Sequence, residues 1–396
     1  MKVLQINNHF ERRGGSEAVF HDTIDLLKKN GHEVVTLSRI HSQKQEYDSN
    51  YFLTYTESYY KRLNSKKAVF KIFNILEKEK PDLVHVHNLI GGITFSVLPI
   101  IKKKNIPILM TVHDFRMICP AGLLLNGKNE LCQKCMGKNY YHCIINKCSR
   151  YGGFTKNLAI TIESYLRDKM FPVQELIDCF IFVSNKEKEK FLEIKPELKN
   201  KSITIHNFVK KIEPSTKQGT YYFSFGRLTP EKGIFTLLKA FAECPDLKLK
   251  IAGDGFLYDE ILRTKTNNIE LVGFKSGKDL EELILNASFI IVPSEWFETL
   301  SLTTAESLSL GKPVIVSKIG ALSELIINDY NGYFFESQNI DQLKKVLMNS
   351  SNISSEKYKQ LSENAYLSAK DKFSEEIYFQ KLMSIYKSFY EKHKNI

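Results

Sequence analysis

The sequence has 396 residues, 43% hydrophobic and 26% charged, with a formal net charge of +11. That length exceeds what one core usually covers, so two domains are expected; the composition excludes disordered, collagen-like and low-complexity chains. The basic residues alternate with acidic ones and carry no RNA-binding or zinc-finger signature, so nucleic acid is not expected as a partner. A diphosphate-bearing substrate or anionic lipid head groups suit the surplus instead.

Met1-Lys2-Val3-Leu4-Gln5-Ile6 reads as a strand that begins at once, unlike a signal peptide. The longest mostly apolar run, 89–101, is too short to span a bilayer and contains Gly91, Gly92 and Pro99. A cytoplasmic protein is expected. First-half strands are predicted at 2–6, 33–37, 83–86, 108–112 and 180–183, with a helix over 16–30 that stops at Gly31. His85 and His87 are read as pointing to opposite faces of their strand. A stretch with Lys61, Arg62, Lys66, Lys67 and Lys71 among Leu63, Val69, Phe70 and Phe73 reads either as a core-packing helix or as one resting on an anionic bilayer.

The β-rich pattern restarts at 221–225, after a linker over 210–219, and continues at 247–251, 269–271, 289–292, 313–316 and 332–334. Alternating strands and helices predict an α/β chain of two doubly wound, Rossmann-like domains, 1–210 and 211–373. A charged C-terminal helix, 374–396, is expected to pack back on the first domain. Such folds bind ligands beyond the carboxyl ends of their strands.

The loops at those ends carry the chemistry. Gly226-Arg227-Leu228-Thr229-Pro230-Glu231-Lys232-Gly233 follows a strand and precedes a helix, so two cations flank a helix N-terminus, an arrangement suited to a diphosphate. Glu298 and Glu306 stand seven residues apart across a loop and a helix start, where carboxylates can accept sugar and ribose hydroxyls. Thr303 and Glu306 also have capping-box spacing, which would make Glu306 a cap instead.

These segments resemble glycosyltransferase family 4, as do Val292-Pro293-Ser294, Gly311-Lys312-Pro313-Val314-Ile315, Ile251-Ala252-Gly253-Asp254-Gly255 and Gly320-Ala321-Leu322-Ser323-Glu324. In the first half Gly14-Gly15-Ser16-Glu17, Gly31-His32-Glu33-Val34 and Pro81-Asp82-Leu83-Val84-His85-Val86-His87 fit as well. The resemblance implies a GT-B fold, two Rossmann-like domains facing a central cleft. It further implies retaining, metal-independent transfer of a sugar from a nucleotide-diphosphate donor to a glycan, with a lipid-linked intermediate of capsule, exopolysaccharide or O-antigen synthesis as acceptor. Arg227 and Lys232 would hold the diphosphate, Glu306 the ribose and Glu298 the transferred sugar. Amides at Thr299, Leu300 and Ser301 would meet the sugar or phosphates, Phe274 the base, and Gly15 the diphosphate from the opposite wall. His113 would act near the reacting centre. The family's glycine–phenylalanine–glycine after the first glutamate is Thr299-Leu300-Ser301 here. A nucleotide-sugar epimerase, a disaccharide synthase or a weakly active partner subunit would share these features.

Five of seven cysteines fall within 116–150: Cys119, Cys132, Cys135, Cys143 and Cys148. Cys132 and Cys135 have the gap of a zinc knuckle, which Cys119 and Cys148, or Cys143 as alternate, would complete as a structural site. Unpaired reduced thiols and a redox-sensitive pair are the other readings. No cofactor is expected for catalysis.

Overall fold

The computed structural model describes residues 1–11, 14–40, 50–54, 64–149, 153–210 and 213–394. They form two compact units, 1–205 with 378–396 and 206–377. The first is built on a parallel sheet of β1 (Lys2–Asn7), β2 (Glu33–Ile40), β3 (Asn50–Thr54), β4 (Leu83–Asn88), β5 (Ile108–Val112), β6 (Cys179–Phe182) and β7 (Ser202–Thr204), in the order β3-β2-β1-β4-β5-β6-β7. Its inner strands are near-continuous apolar runs because helices cover both faces; β5, Ile-Leu-Met-Thr-Val, is buried throughout.

The helices of this unit are α1 (Gly15–Lys29), α2 (Lys66–Glu79), α3 (Leu98–Lys103), α4 (His142–Ile145), α5 (Gly153–Met170), α6 (Val173–Leu176) and α7 (Asn185–Ile194). In α1, Val19, Phe20, Thr23, Ile24 and Leu27 recur at helical spacing and are buried, and Gly31 ends the helix at a φ of 79°. Helix α2 buries Ala68, Ile72, Ile75 and Leu76 but leaves Phe70 67% and Phe73 44% exposed. Lys61, Arg62 and Leu63 lie outside the described residues.

The second unit repeats the winding: β8 (Tyr221–Phe225), β9 (Leu249–Ala252), β10 (Ile269–Gly273), β11 (Ala287–Val292), β12 (Val314–Ser317) and β13 (Gly332–Phe335) run in the order β10-β9-β8-β11-β12-β13. Numbered from its own first strand, that order is 3-2-1-4-5-6, the first sheet's order without its last strand. Around it lie α8 (Ile234–Ala242), α9 (Tyr258–Thr264), α10 (Gly277–Leu285), α11 (Leu302–Ser309), α12 (Leu322–Leu325), α13 (Ile340–Ser351) and α14 (Ser355–Phe373). The core joins Leu237, Phe241, Ile251, Phe289, Ile315, Leu343 and Leu347.

A last helix, α15 (Glu375–Lys394), belongs to the first unit from Tyr378 onward. It buries Tyr378, Leu382, Met383 and Tyr386, one side of a helix. Tyr378 Oη meets Thr23 Oγ1 of α1 at 2.9 Å, so the chain's end is tied to its beginning.

Candidate active site

In both sheets the winding reverses between the first and fourth strands, and the carboxyl ends of those strands leave a crevice there. In the second unit this switch point lies between β8 and β11. After β8 the chain makes a tight turn, Gly226 at a φ of 144°, and crosses close to the end of β9. A Cβ on Gly253 would stand 1.9 Å from the Gly226 carbonyl oxygen, so only glycine permits this approach. Arg227 is exposed at the turn's rim. A 3-10 turn, Pro230–Lys232, then leads into α8.

The loop after β11 closes against this turn. Glu295 N–H donates to the Glu231 carbonyl at 2.8 Å. Lys232 Nζ pairs with Glu298 Oε1 at 2.7 Å, and Ser294 Oγ donates to the same oxygen at 2.6 Å. The Glu298 side chain is only 4% exposed, that of Lys232 27%, and the ammonium also lies 5.1 Å from the centre of the Trp296 ring. A cation and a carboxylate are thus held at one switch point, each with a specific partner. Ser294 gave no sequence signal of this role beyond its place in a motif.

Thr299, Leu300 and Ser301 continue this loop, all nearly buried. Ser301, not Thr303, caps α11, accepting from Thr304 N–H at 3.3 Å. The capping-box reading of Thr303 and Glu306 is therefore corrected: with Ser301 at the cap, Glu306 falls two positions beyond the box partner and sits half-buried in the second turn. Phe274 follows Gly273 at the end of β10 and is 71% exposed. Glu324, from another motif, is bound instead to His206 at 2.8 Å.

In the first unit the corresponding ends of β1, β4 and β5 meet in a buried hydrogen-bond chain. Asn8 Oδ1 accepts from Gly92 N–H at 3.0 Å and Ile93 N–H at 2.9 Å, holding the loop after β4. Gly15, the first residue of α1, is exposed. His85 and His87 lie on one face of β4, ring centroids 4.4 Å apart. Residues two apart on a strand share a face, so the expectation of opposite faces is corrected.

Hydrogen-bond polarity follows from the Gln5 amide. Gln5 Oε1 can only accept, so the proton in its 2.9 Å contact belongs to His87 Nε2. His87 Nδ1 is then an acceptor, and His113 Nε2, 3.0 Å away, must donate to it. On the other arm Gln5 Nε2 donates to Tyr386 Oη at 3.2 Å; the phenol donates to His85 Nδ1 at 2.6 Å, and His85 Nε2 to Thr111 Oγ1 at 2.7 Å. Burial keeps all three rings neutral, pushing His85 to about 3, His113 to about 4 and His87 well below the usual range. His113 is therefore held as a neutral imidazole that donates at Nε2.

Stability should fall with acid for the same reason. The unfolded histidines take up protons near 6.5 while the folded ones stay neutral to about 4, so the unfolded state binds more protons between these limits. The contribution is full above pH 6.5 and is lost as pH falls toward 4. Each ring adds a slope of about 1.4 kcal/mol per pH unit. Glu187, a buried acid pushed well above its usual range, acts in the opposite sense. Urea unfolding of wild type against His85→Asn isolates the share of one ring: the variant should show the shallower decline between pH 7 and 5.

Comparison with known proteins assigns the family. A model described as Glycosyltransferase Family 4 matches residues 13–211, and one described as Glycosyl transferases group 1 matches 206–368. The chain belongs to glycosyltransferase family 4. It is 25% identical to an uncharacterized glycosyltransferase of Methanocaldococcus jannaschii over 99% of this chain and 98% of that one. It is 24% identical to the Escherichia coli UDP-Gal:alpha-D-GlcNAc-diphosphoundecaprenol alpha-1,3-galactosyltransferase, covering 72% and 70% of the two. Sucrose-phosphate synthase from Thermosynechococcus elongatus superposes with a TM-score of 0.74 at 16% identity, covering 99% of each chain. Anabaena HepE in complex with UDP and glucose gives 0.67 at 17% identity, over 98% and 100%. The fold is GT-B.

This glycosyltransferase also gathers its cysteines. Cys119, Cys132, Cys135 and Cys148 line one small cavity with Leu124, Leu125 and Ile194. Burial, with Cys119 and Cys148 alongside, pushes the Cys135 thiol up to about 12. The Cys143 thiol is pushed up by its hydrogen bond to Cys148, which is held down in turn. Among the described residues, no three His, Cys, Asp or Glu side chains are grouped as a metal site. Cys179 and Cys244 are buried elsewhere.

Proposed function

We propose that this glycosyltransferase moves a sugar, with retention of anomeric configuration and without a metal, from a nucleotide-diphosphate donor to a lipid-linked glycan of capsule, exopolysaccharide or O-antigen assembly. The carrying observation is the Lys232–Glu298 pair at the switch point, beside Arg227 and the α8 N-terminus. A diphosphate there meets two cations and free helix N–H groups. Glu298 then accepts hydroxyls of the transferred sugar and Glu306 those of the ribose, while Phe274 stacks on the base. Amides from Thr299 to Ser301 hold the sugar or phosphates.

In the reaction the anomeric carbon–oxygen bond to the diphosphate breaks. The acceptor oxygen bonds to that carbon on the same face, and its proton passes to the departing phosphate oxygen. Arg227 and Lys232 stabilise the charge that builds there. Support for the substrates comes from relatives: HepE is described in complex with UDP-glucose, and a 26% identical Klebsiella pneumoniae protein is described as lying in a cps region.

The test supplies a panel of nucleotide sugars with a polyprenyl-diphosphate-linked acceptor and EDTA, and reads the product's anomeric configuration by NMR. Retained configuration is expected. An inverted product, a requirement for metal, or epimerised donor without transfer would each overturn this reading.

The cysteine cavity supports a second assignment, a structural zinc on Cys119, Cys132, Cys135 and Cys148. Coordination requires the thiols to turn inward and lose their protons, which a divalent cation favours. Elemental analysis of protein purified without added metal is expected to find about one zinc per chain. Zinc absent, with every cysteine titrating as a free thiol in the native protein, excludes it.

A further inference from the structure

Helix α5 faces the wrong way for a core helix. Its buried positions are Asn157, Ile160, Thr161, Ser164 and Arg167, polar except for Ile160. Its outward positions, Phe154, Leu158, Ile162, Tyr165, Leu166 and Met170, are 37 to 68% exposed. Their spacing keeps them on one side of the helix, over a length of about 24 Å. Tyr141, just before α4, and Ile145 at its end, 48% and 66% exposed, widen the face; Tyr141 N–H donates to Tyr165 Oη at 3.3 Å.

The polar side is bonded in place, so the helix cannot simply roll over. Arg167 donates to the carbonyls of Arg116 at 2.9 Å and Met117 at 3.4 Å, and pairs with Asp168 at 2.9 Å. Asn157 accepts from Ser149 N–H at 2.8 Å and donates to the Gly153 carbonyl at 2.9 Å. Turning the apolar side inward would bring these groups out of their bonds and leave buried acceptors unsatisfied. A contiguous apolar face fixed toward solvent marks a docking surface.

Charge selects the occupant. Between positions 131 and 170 the sequence holds seven Lys and Arg against two Asp and Glu. Lys138, Lys147 and Lys169 are exposed, whereas Asp168 is neutralised by Arg167 and Lys195. A second copy of this face would bring like charges together. An anionic surface that also accepts apolar side chains answers both properties. We propose that the α5 face docks this protein on an anionic lipid bilayer, with Phe154, Leu158, Ile162 and Leu166 entering the acyl boundary. The inference rests on the lipid-linked acceptor of the proposed function and names the surface that meets the lipid.

The experiment uses the full chain without donor or acceptor, so its outcome is independent of whether sugar transfer is found. Vesicles of phosphatidylglycerol and phosphatidylcholine should sediment the wild type, and pure phosphatidylcholine far less. Leu158→Asp/Ile162→Asp should lower the bound fraction about tenfold, whereas Phe70→Ser on α2 should leave it unchanged. Polar substitution of exposed residues should leave the unfolding midpoint unaltered. As a second measurement, Ile162→Trp should be quenched by brominated lipid; the sole native tryptophan, Trp296, is buried in the second unit. Undiminished sedimentation of the double variant, absence of quenching, or loss of binding in Phe70→Ser instead would overturn the proposal. So would a wild-type dimer in light scattering that Leu158→Asp/Ile162→Asp dissolves.

Discussion

Lys232→Met is expected to lower kcat/KM for the nucleotide sugar about 100-fold or more, and to destabilise the second unit as well. The first effect follows from the proposed donor site, in which Lys232 is a cation facing the charge built on the leaving diphosphate. The second follows from Glu298, whose 4% exposed side chain would keep, among the described residues, a carboxylate served by Ser294 alone. Breaking a buried pair from one side costs about 3–5 kcal/mol, and partial exposure of Lys232 reduces this to about 2 kcal/mol. The double variant Lys232→Met/Glu298→Gln separates the effects, because a neutral amide tolerates the loss of its cation. Its urea midpoint should return toward wild type while turnover stays low. Near-normal turnover by a folded Lys232→Met would contradict the donor-site assignment.

Gly233→Ala is the second large effect, and it concerns the join between the two loops. Gly233 has a φ of 70°, and a Cβ there would stand 1.8 Å from the Pro293 carbonyl oxygen. That oxygen belongs to the backbone leading into the Ser294–Glu298 loop, so the contact is relieved only by parting the turn after β8 from the loop after β11. The expected cost is about 3 kcal/mol or more in unfolding free energy, with activity reduced through the displaced Glu298. Gly277→Ala provides the comparison: its φ is 57°, yet nothing lies within 4 Å of the added Cβ. It should therefore cost only the left-handed backbone term, about 1 kcal/mol. Equal losses in the two variants would show that the close approach to Pro293 is immaterial.

The strands that carry the site were legible because apolar runs between turn signals mark buried parallel strands. The spans 108–112 and 221–225 read from the sequence are β5 and β8 as found. The edge strands β3 and β7 were not read: Asn50-Tyr51-Phe52-Leu53-Thr54 and Ser202-Ile203-Thr204 are short and polar at their ends, as edges can be. The cations and glutamates announce themselves through local motifs. The groups that set the state of His113 do not, since Gln5 and Tyr386 are 381 residues apart and meet only through the fold. Likewise, an apolar stripe can be found in α5 from its spacing, but which side faces inward depends on the bonds of Arg167 and Asn157, and no periodicity reveals that.

The most direct test of the account is a thermal-shift titration of the wild type, Lys232→Met and Glu306→Ala with UDP-, GDP- and ADP-sugars. At least one nucleotide sugar is expected to raise the wild-type midpoint, and both variants to lose most of that shift while remaining folded. A wild type indifferent to every nucleotide sugar, or variants that respond as fully as the wild type, would contradict it.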